Sequence, residues 1–463
     1  MSSKRVIPLW LHSNPSPDSP NKYFCMAPWT HTYISPQSER RMCCASREDH
    51  SFQKQYIDKS NDASYGAVTE SKTALKDYNP VSLKDHWNSP YMRDIRVKLM
   101  AGEKIEQCDV CNNNLLMEGS YKGWFTGCLF PHKIQEAFDS TDDTGYTTME
   151  PISFDYRFSN LCNFKCRMCG EQLSSSWETE KRKHNHWTPE RHPFMVTEIK
   201  QAMQQFTTDV VETEFKDAIQ RGIVEECYWV GGEPLMYDIH WWAMDEMIKN
   251  GSAKNCYVRY NSNLSRVQFG ERKLYDYLPQ FKNWMMCASM DGTGKIAEYI
   301  RSGLKWDEWL ANFKQGLALP NGHDKMKFDL TITAPGMFSL KEVFDLCLEL
   351  DVEIITKITF AFHPDIMWTP MSWPRPILNS IIDDILEYIQ PKVTRKQQSV
   401  VDALISMKTT RQTHEEAFPD TFKAAAKNGK GWVHELAKMR KDTYTIEDIY
   451  STNPDLIKWW LTI

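Results

Sequence analysis

Residues 161–170 read LCNFKCRMCG, directly after the strand-like stretch PISFDYRF (151–158). Cys162, Cys166 and Cys169 are separated by three residues and then two. Structural zinc sites take four ligands, usually as two pairs. No fourth cysteine or histidine lies close by: the next histidine is His184, fifteen positions beyond Cys169. Three thiolates hold three irons of a cubane cluster and leave the fourth iron open to nitrogen and oxygen donors. That is a chemical reason for three ligands rather than four. Zinc with a distant fourth ligand is the competing reading.

From residue 150 onward, apolar strand patterns alternate with helical ones. ECYWVGG (226–232), NCYVRYNSN (255–263), WMMCASMDG (284–292), KFDLTIT (327–333) and ITKITFAF (355–362) follow PISFDYRF as strands. Helical patterns lie between them near 196–206, 213–221, 239–250, 307–318 and 339–350, and ERKLYDYLPQF also reads as helical. Strand–helix alternation predicts a parallel sheet with right-handed crossovers. Six units fall short of an eight-stranded barrel. The fold class expected is therefore α/β, a partial (β/α)6 TIM barrel over 151–365, with its site at the carboxyl ends of the strands.

CNFKCRMCG resembles the CxxxCxxC loop of the radical S-adenosylmethionine (SAM) superfamily. The resemblance implies a [4Fe-4S] cluster on Cys162, Cys166 and Cys169, with SAM on the open iron. The family's aromatic before the last cysteine is here Met168, and Gly170 follows that cysteine; Phe164 supplies an aromatic elsewhere in the loop. VGGEP (230–234) resembles the family's GGE(P) motif. Gly231 and Gly232 permit close backbone approach, Glu233 and free carbonyls suit the amine of SAM, and Pro234 stiffens the exit. YNSNL (260–264) resembles the T-N-G segment of the third strand, with Asn261 or Ser262 and Asn263 in its place. SMDG (289–292) resembles S-x-D-G, which sets Ser289 and Asp291 at the pocket mouth for ribose or substrate hydroxyls. Thr333 and Phe362 end the last two strands and are assigned to the floor and the adenine side. The resemblance covers about 150–365 and implies reductive cleavage of SAM to a 5′-deoxyadenosyl radical. It also implies a reductant such as flavodoxin or ferredoxin, and a peptide or small-metabolite substrate. His31, Arg157 and Tyr260 are further polar candidates.

The unit over 21–150 carries six more cysteines, at 25, 43, 44, 108, 111 and 128. A four-thiolate site suits zinc and iron–sulfur alike. The pattern FCxxPW, a turn, CC, a helix and then CxxC resembles the auxiliary-cluster modules called twitch or SPASM domains, which normally follow the barrel. The ligands expected are Cys25, Cys44, Cys108 and Cys111, with Cys43 able to exchange with Cys44 because neighbours in a strand face opposite ways. Cys128 reads as a core thiol, as do the single Cys227, Cys256, Cys287 and Cys347.

Residues 1–20 read as a loose arm, 139–145 as a linker, and 366–463 as a mainly helical region. The chain's 463 residues carry 55 basic and 61 acidic groups, a net charge of −6 that gives no broad nucleic-acid or anionic-membrane surface. No apolar run reaches membrane-spanning length, so a cytoplasmic location is expected. The basic, aromatic segment EKRKHNHWTPERH (180–192) leaves RNA open as an alternative substrate, although a solvated insert is the plainer reading. A zinc-stabilised binding protein without catalysis is the remaining alternative.

Overall fold

A computed structural model of the chain describes residues 23–47, 80–112, 121–189, 192–359, 361 and 364–463. The arm over 1–20, nearly all of the polar stretch 55–80, and Phe362 lie outside the described residues.

Among the described residues twelve strands are formed: β1 (His31–Ile34), β2 (Arg40–Arg41), β3 (Ser153–Tyr156), β4 (Lys165–Cys166), β5 (Glu226–Trp229), β6 (Tyr257–Ser262), β7 (Gln268–Phe269), β8 (Arg272–Lys273), β9 (Asn283–Met290), β10 (Arg301–Ser302), β11 (Met326–Ile332) and β12 (Glu353–Ile358). Eight of them make one open sheet in the order β12-β11-β9-β6-β5-β3-β1-β2. The six strands expected from the alternating pattern are present, parallel and in sequential order. Two more strands come from the amino-terminal unit. β1 pairs in parallel with β3, His31 opposite Ser153, and β2 returns antiparallel to β1. The cysteine-rich unit is thus stitched into the sheet. Its short strands carry no period long enough to read in advance, and their apolar partners lie over a hundred residues away.

The two faces of the sheet differ. Alternate residues such as Phe154, Trp229, Val258, Met286, Phe328 and Ile354 are almost wholly buried against helices, including Glu212–Gln220, Asp238–Lys249, Trp306–Leu317 and Leu340–Glu349. Side chains one position away point to the other face. There the sheet carries Asp155, Glu226, Arg259, Asn261 and Asp329. A parallel sheet covered by helices on both faces is apolar throughout. This one is not, because its second face lines an interior. Carboxy-terminal helices, among them Arg375–Ile389, Gln398–Thr409 and Pro419–Arg440, extend the packed layer, as the sequence predicts. The ERKLYDYLPQF stretch begins in the β7–β8 hairpin and then turns helical, over Leu274–Tyr277 and, as a 3-10 turn, Leu278–Gln280.

The amino-terminal unit has its own small core around Phe24, Trp29, Met92, Leu99 and Phe138. The segment expected as a linker is a closed turn. The Asp142 carboxylate accepts from the amides of Thr144 (2.8 Å) and Tyr146 (3.1 Å), and Thr141 bridges Thr147. The turn is fastened by Arg96, which is fully buried in the helix Pro90–Met100. Its guanidinium donates to the carbonyls of Pro28 (2.9 Å), Trp87 (2.7 Å) and Gly145 (3.3 Å) and to Asn88 Oδ1 (2.9 Å). One planar fork therefore joins four segments, a geometry that lysine does not reproduce. Arg96→Ala and Arg96→Lys should each destabilise the unit by about 2–4 kcal/mol, because buried acceptors lose their donors. Denaturant unfolding followed by Trp fluorescence checks this; equal stability of Arg96→Lys and the parent would refute it.

Candidate cluster and SAM site

The three-cysteine loop leaves the carboxyl end of β3 and is fixed mainly through its backbone. Ser174 caps the helix Ser175–Lys183 by accepting from the Trp177 amide, and its hydroxyl donates to the Phe164 carbonyl (2.6 Å). Ser175 Oγ accepts from the Cys162 amide (3.1 Å), and Ser176 Oγ donates to the Cys162 carbonyl (2.7 Å). β4, which contains Cys166, pairs antiparallel with β10. Buried Trp177 donates its indole N–H to the Cys166 carbonyl (2.7 Å).

The three thiols lie within one another's electrostatic reach. Burial pushes Cys162 up to about 12, and it raises Cys166 and Cys169 as well. These thiols therefore stay protonated unless a cation compensates them. N–H donors already face the sulfurs: Asn263 Nδ2 stands 3.7 Å from Cys162 Sγ, and Arg301 Nη1 stands 3.8 Å from Cys166 Sγ. Among the described residues, no three Cys, His, Asp or Glu side chains converge as a single metal ion requires.

The motif residues gather around this loop. Gly231 and Gly232 both have positive φ, 84° and 51°. A Cβ on Gly232 would stand 2.5 Å from the Leu161 carbonyl oxygen, so the turn and the cysteine loop approach as only glycine allows. Glu233 donates its backbone N–H to the same carbonyl (2.7 Å). Its side chain is fully buried and accepts from Ser262 Oγ (2.8 Å), the Asn263 amide (2.7 Å) and the Leu235 amide (3.2 Å). Burial raises this carboxyl to about 7 against those hydrogen bonds. Glu233 thus clasps the ends of β5 and β6 together, and Pro234 opens a short turn over Pro234–Met236.

Asp291 is buried and paired with Arg301 (2.5 Å), the arginine that faces Cys166. Ser289 is half-buried on the interior face, opposite Asp329 in register. Asn261 lies on that face too, donating to Asp329 (2.5 Å) and accepting from Tyr228 (2.6 Å). Met168 is half-buried against the core. Gly170 has open space where a Cβ would stand. Thr333 is buried, and its hydroxyl accepts from the Gly336 amide (3.1 Å), which makes it a turn residue. Tyr260 faces the helical layer, bonded to His240 Nε2 (3.0 Å), and so does not line the site.

Single-strand reading missed the charged interior. Asp155 holds Arg157 (3.0 Å), Glu226 holds Arg259 (2.7 Å) and Asp329 holds Lys357 (2.7 Å). The signal was available: SFDY, ECYW, YVRYNS and KFDLTI each place charge at alternate positions among apolar neighbours. Cys287 shares this face, within reach of Asp329 and Lys357, rather than the helical core.

Cys25, Cys43 and Cys108 influence one another, Cys111 acts on Cys25, and Cys44 acts on Cys43. Cys44, expected as the ligand, also has Asp155, Arg157, Arg259 and the Tyr121 hydroxyl around it. Beyond β2, Cys43 is thus the one of the two with Cys25 and Cys108 among the groups acting on it. Cys128 is exposed rather than a core thiol.

The basic segment over 180–192 is largely neutralised by its own surroundings. Lys181 and His192 meet Glu171, Arg182 meets Glu178, and His186 meets Glu435. The carboxy-terminal helix Pro419–Arg440 closes over the same region. Arg440 donates to Glu180 (2.7 Å) and Ser302 (3.0 Å) and lies over the Trp177 ring, while Lys165 meets Glu180 from the loop side (2.6 Å). Arg167, buried between two cysteines of the loop, pairs with Asp442. Removing one partner of a buried pair leaves an uncompensated charge, at a cost of about 3–5 kcal/mol. Arg440→Ala should therefore loosen 162–183, with amide exchange there roughly tenfold or more faster while the helical layer stays protected. Unchanged exchange in that segment would refute the clamp.

Residues 25–112 match the family model of SPASM, an iron–sulfur cluster-binding domain. No curated protein matches the chain. Among solved structures, Streptococcus suis SuiB bound to S-adenosylmethionine is 13% identical over 52% of this chain and 48% of its own, with a TM-score of 0.33. A second structure of Streptococcus suis SuiB is 13% identical over 51% of this chain and 46% of its own, with a TM-score of 0.32. The chain thus spans about half the length of these structures, a likeness too loose to bear on function.

Proposed function

We propose that the chain is a radical SAM enzyme whose Cys162, Cys166 and Cys169 hold a [4Fe-4S] cluster with one open iron. The observation that carries this reading is a three-thiol loop at the carboxyl end of a parallel sheet, with no other cysteine or histidine between His132 and His184 in the chain. The donor set fits the group. The thiols are close enough to feel one another yet do not converge on one point, which suits a multi-iron cluster better than a lone zinc. N–H groups of Asn263 and Arg301 are placed to stabilise thiolate charge. When bound, the cluster supplies one electron to SAM, whose cleavage gives methionine and a 5′-deoxyadenosyl radical that abstracts hydrogen from a substrate.

The protein's own part is to position and to exclude water. Gly231 and Gly232 bring backbone close to the loop, where the amine of SAM would lie; the Gly231 carbonyl itself accepts from the Tyr237 hydroxyl. Glu233 holds that turn to the end of β6. Asn263 ties Cys162 to Asn163 (3.0 Å) and so fixes the loop's entrance. Asp291 orients Arg301 toward Cys166. Ser289 and Asn261 offer hydroxyl and amide groups to a sugar or a substrate from the interior face.

A second iron–sulfur site is proposed on Cys25, Cys43, Cys108 and Cys111, supported by the SPASM match and by the thiol grouping. A peptide is the substrate proposed, with a small metabolite next and flavodoxin or ferredoxin as reductant. RNA is less well supported, since Lys181 and Arg182 are paired with Glu171 and Glu178. No helix among the described residues is long and apolar enough to cross a membrane.

Iron and sulfide counts after anaerobic reconstitution test both sites. The triple variant Cys162→Ala/Cys166→Ala/Cys169→Ala should lose one cluster and all reductive formation of 5′-deoxyadenosine. Cys43→Ala should lose the other cluster's iron, whereas Cys44→Ala should retain it. An unchanged count in the triple variant, or zinc in place of iron in the wild type, contradicts the reading.

A further inference from the structure

The interior face holds two arginines whose setting serves no need of the fold alone. Arg259 rises from the middle of β6, and Arg157 follows the end of β3. The Arg259 side chain is 12% exposed and that of Arg157 is 18%. Glu226 takes Nε of Arg259 (2.7 Å) and is itself held by the Ser153 hydroxyl. Asp155 takes Nε (3.0 Å) and Nη2 (3.1 Å) of Arg157. Each guanidinium also lies on aromatic rings. Arg259 sits between Tyr228, at 4.2 Å, and Trp124, at 4.9 Å; Arg157 lies over Tyr33, also at 4.9 Å. Carboxylates behind and rings beside them fix both planes.

Among the described residues the remaining donors have no protein acceptor: neither terminal nitrogen of Arg259 donates to them, nor does Nη1 of Arg157, and none of the three is sealed from open space. The two groups are neighbours on the sheet: Asp155, which holds Arg157, and Glu226, which holds Arg259, stand on the adjacent paired strands β3 and β5, and His31 and Tyr228 each feel the charge of both. Burial and those two cations hold His31 neutral, at about 3, so it adds no charge of its own. Oriented, half-desolvated guanidinium N–H groups are receptors for planar oxyanions.

We propose that Arg157 and Arg259 form a carboxylate-binding site on the interior face, which anchors a carboxylate-bearing substrate. The site rests on the radical SAM reading only for calling its ligand a substrate. Asp155 and Glu226 balance the two cations, so one carboxylate fits and a run of phosphates does not. The amino-terminal unit completes the site by laying Trp124 on Arg259, so the cysteine-rich unit helps recognise what the sheet face binds.

Calorimetric titration of the full-length reconstituted protein tests this, with four probes of defined chemistry. N-acetyl-glycyl-glycine offers a terminal carboxylate, N-acetyl-glutamate amide a side-chain carboxylate, and succinate a free acid. N-acetyl-glycyl-glycine amide is the neutral control. At least one acid should bind roughly tenfold or more tighter than the control, and the ranking of the three names the source. The double variant Arg259→Gln/Glu226→Gln leaves no stranded charge. It should lose that preference while keeping its affinity for SAM and its iron content; Arg259→Lys should restore it only in part. Equal binding of acids and control, no binding of any probe, a preference that survives the double variant, or a parallel loss of SAM affinity would each overturn the inference. Failure of SAM cleavage with the carboxylate preference intact would instead count against the proposed function alone.

Discussion

The backbone of Cys166 is the point on which the rest of the site depends. It is held by β10 on one side and by the Trp177 indole on its carbonyl. Its neighbours Lys165 and Arg167 carry charge into the protein and meet Glu180 and Asp442 there. Glu180 in turn is bound to Arg440, from the far end of the chain. Such pairs contribute little net stability, because desolvation offsets attraction. Their consequence is geometric: they permit one arrangement of the loop. The proposed cluster, with only three side chains to hold it, would need that restraint, since no fourth thiolate would lock it in place.

The same economy of position runs through the sheet. Helix-facing residues are apolar and almost wholly buried, while the opposite face alternates acids, bases and amides. Glu233 links these two levels. Its carboxylate ties Ser262 and the Asn263 amide, and the Asn263 side chain reaches both Asn163 and Cys162. Strand ends, glycine turn and cysteine loop thus form one hydrogen-bonded unit above a charged interior. The amino-terminal unit closes that interior from the side, adding β1 to the sheet and Trp124 to its polar wall.

Much of this was legible before any coordinates. The six parallel strands, their order and the long carboxy-terminal helices follow from periodicities that repeat over many residues. The cysteine, glycine and SMDG segments fall together because each ends a strand of one parallel sheet. What escaped is short or non-local. β1 and β2 are four and two residues long, and their pairing is set by contacts across the chain. The choice between Cys43 and Cys44 turns on which way a single peptide faces. Thr333 and Tyr260 stand near strand ends, but hydrogen bonds to Gly336 and His240 commit them elsewhere. The interior ion pairs needed two strands to be read together, since each supplies only one partner.

The claim on which all the chemistry rests is that SAM completes the coordination of an iron left open by Cys162, Cys166 and Cys169. Pulsed electron–nuclear double resonance on the reduced Cys43→Ala protein, with SAM labelled with nitrogen-15 at its amino group, addresses it directly. The account predicts a nitrogen-15 coupling on the remaining cluster that appears with SAM and vanishes without it. A cluster signal that shows no such coupling under saturating SAM would contradict the account.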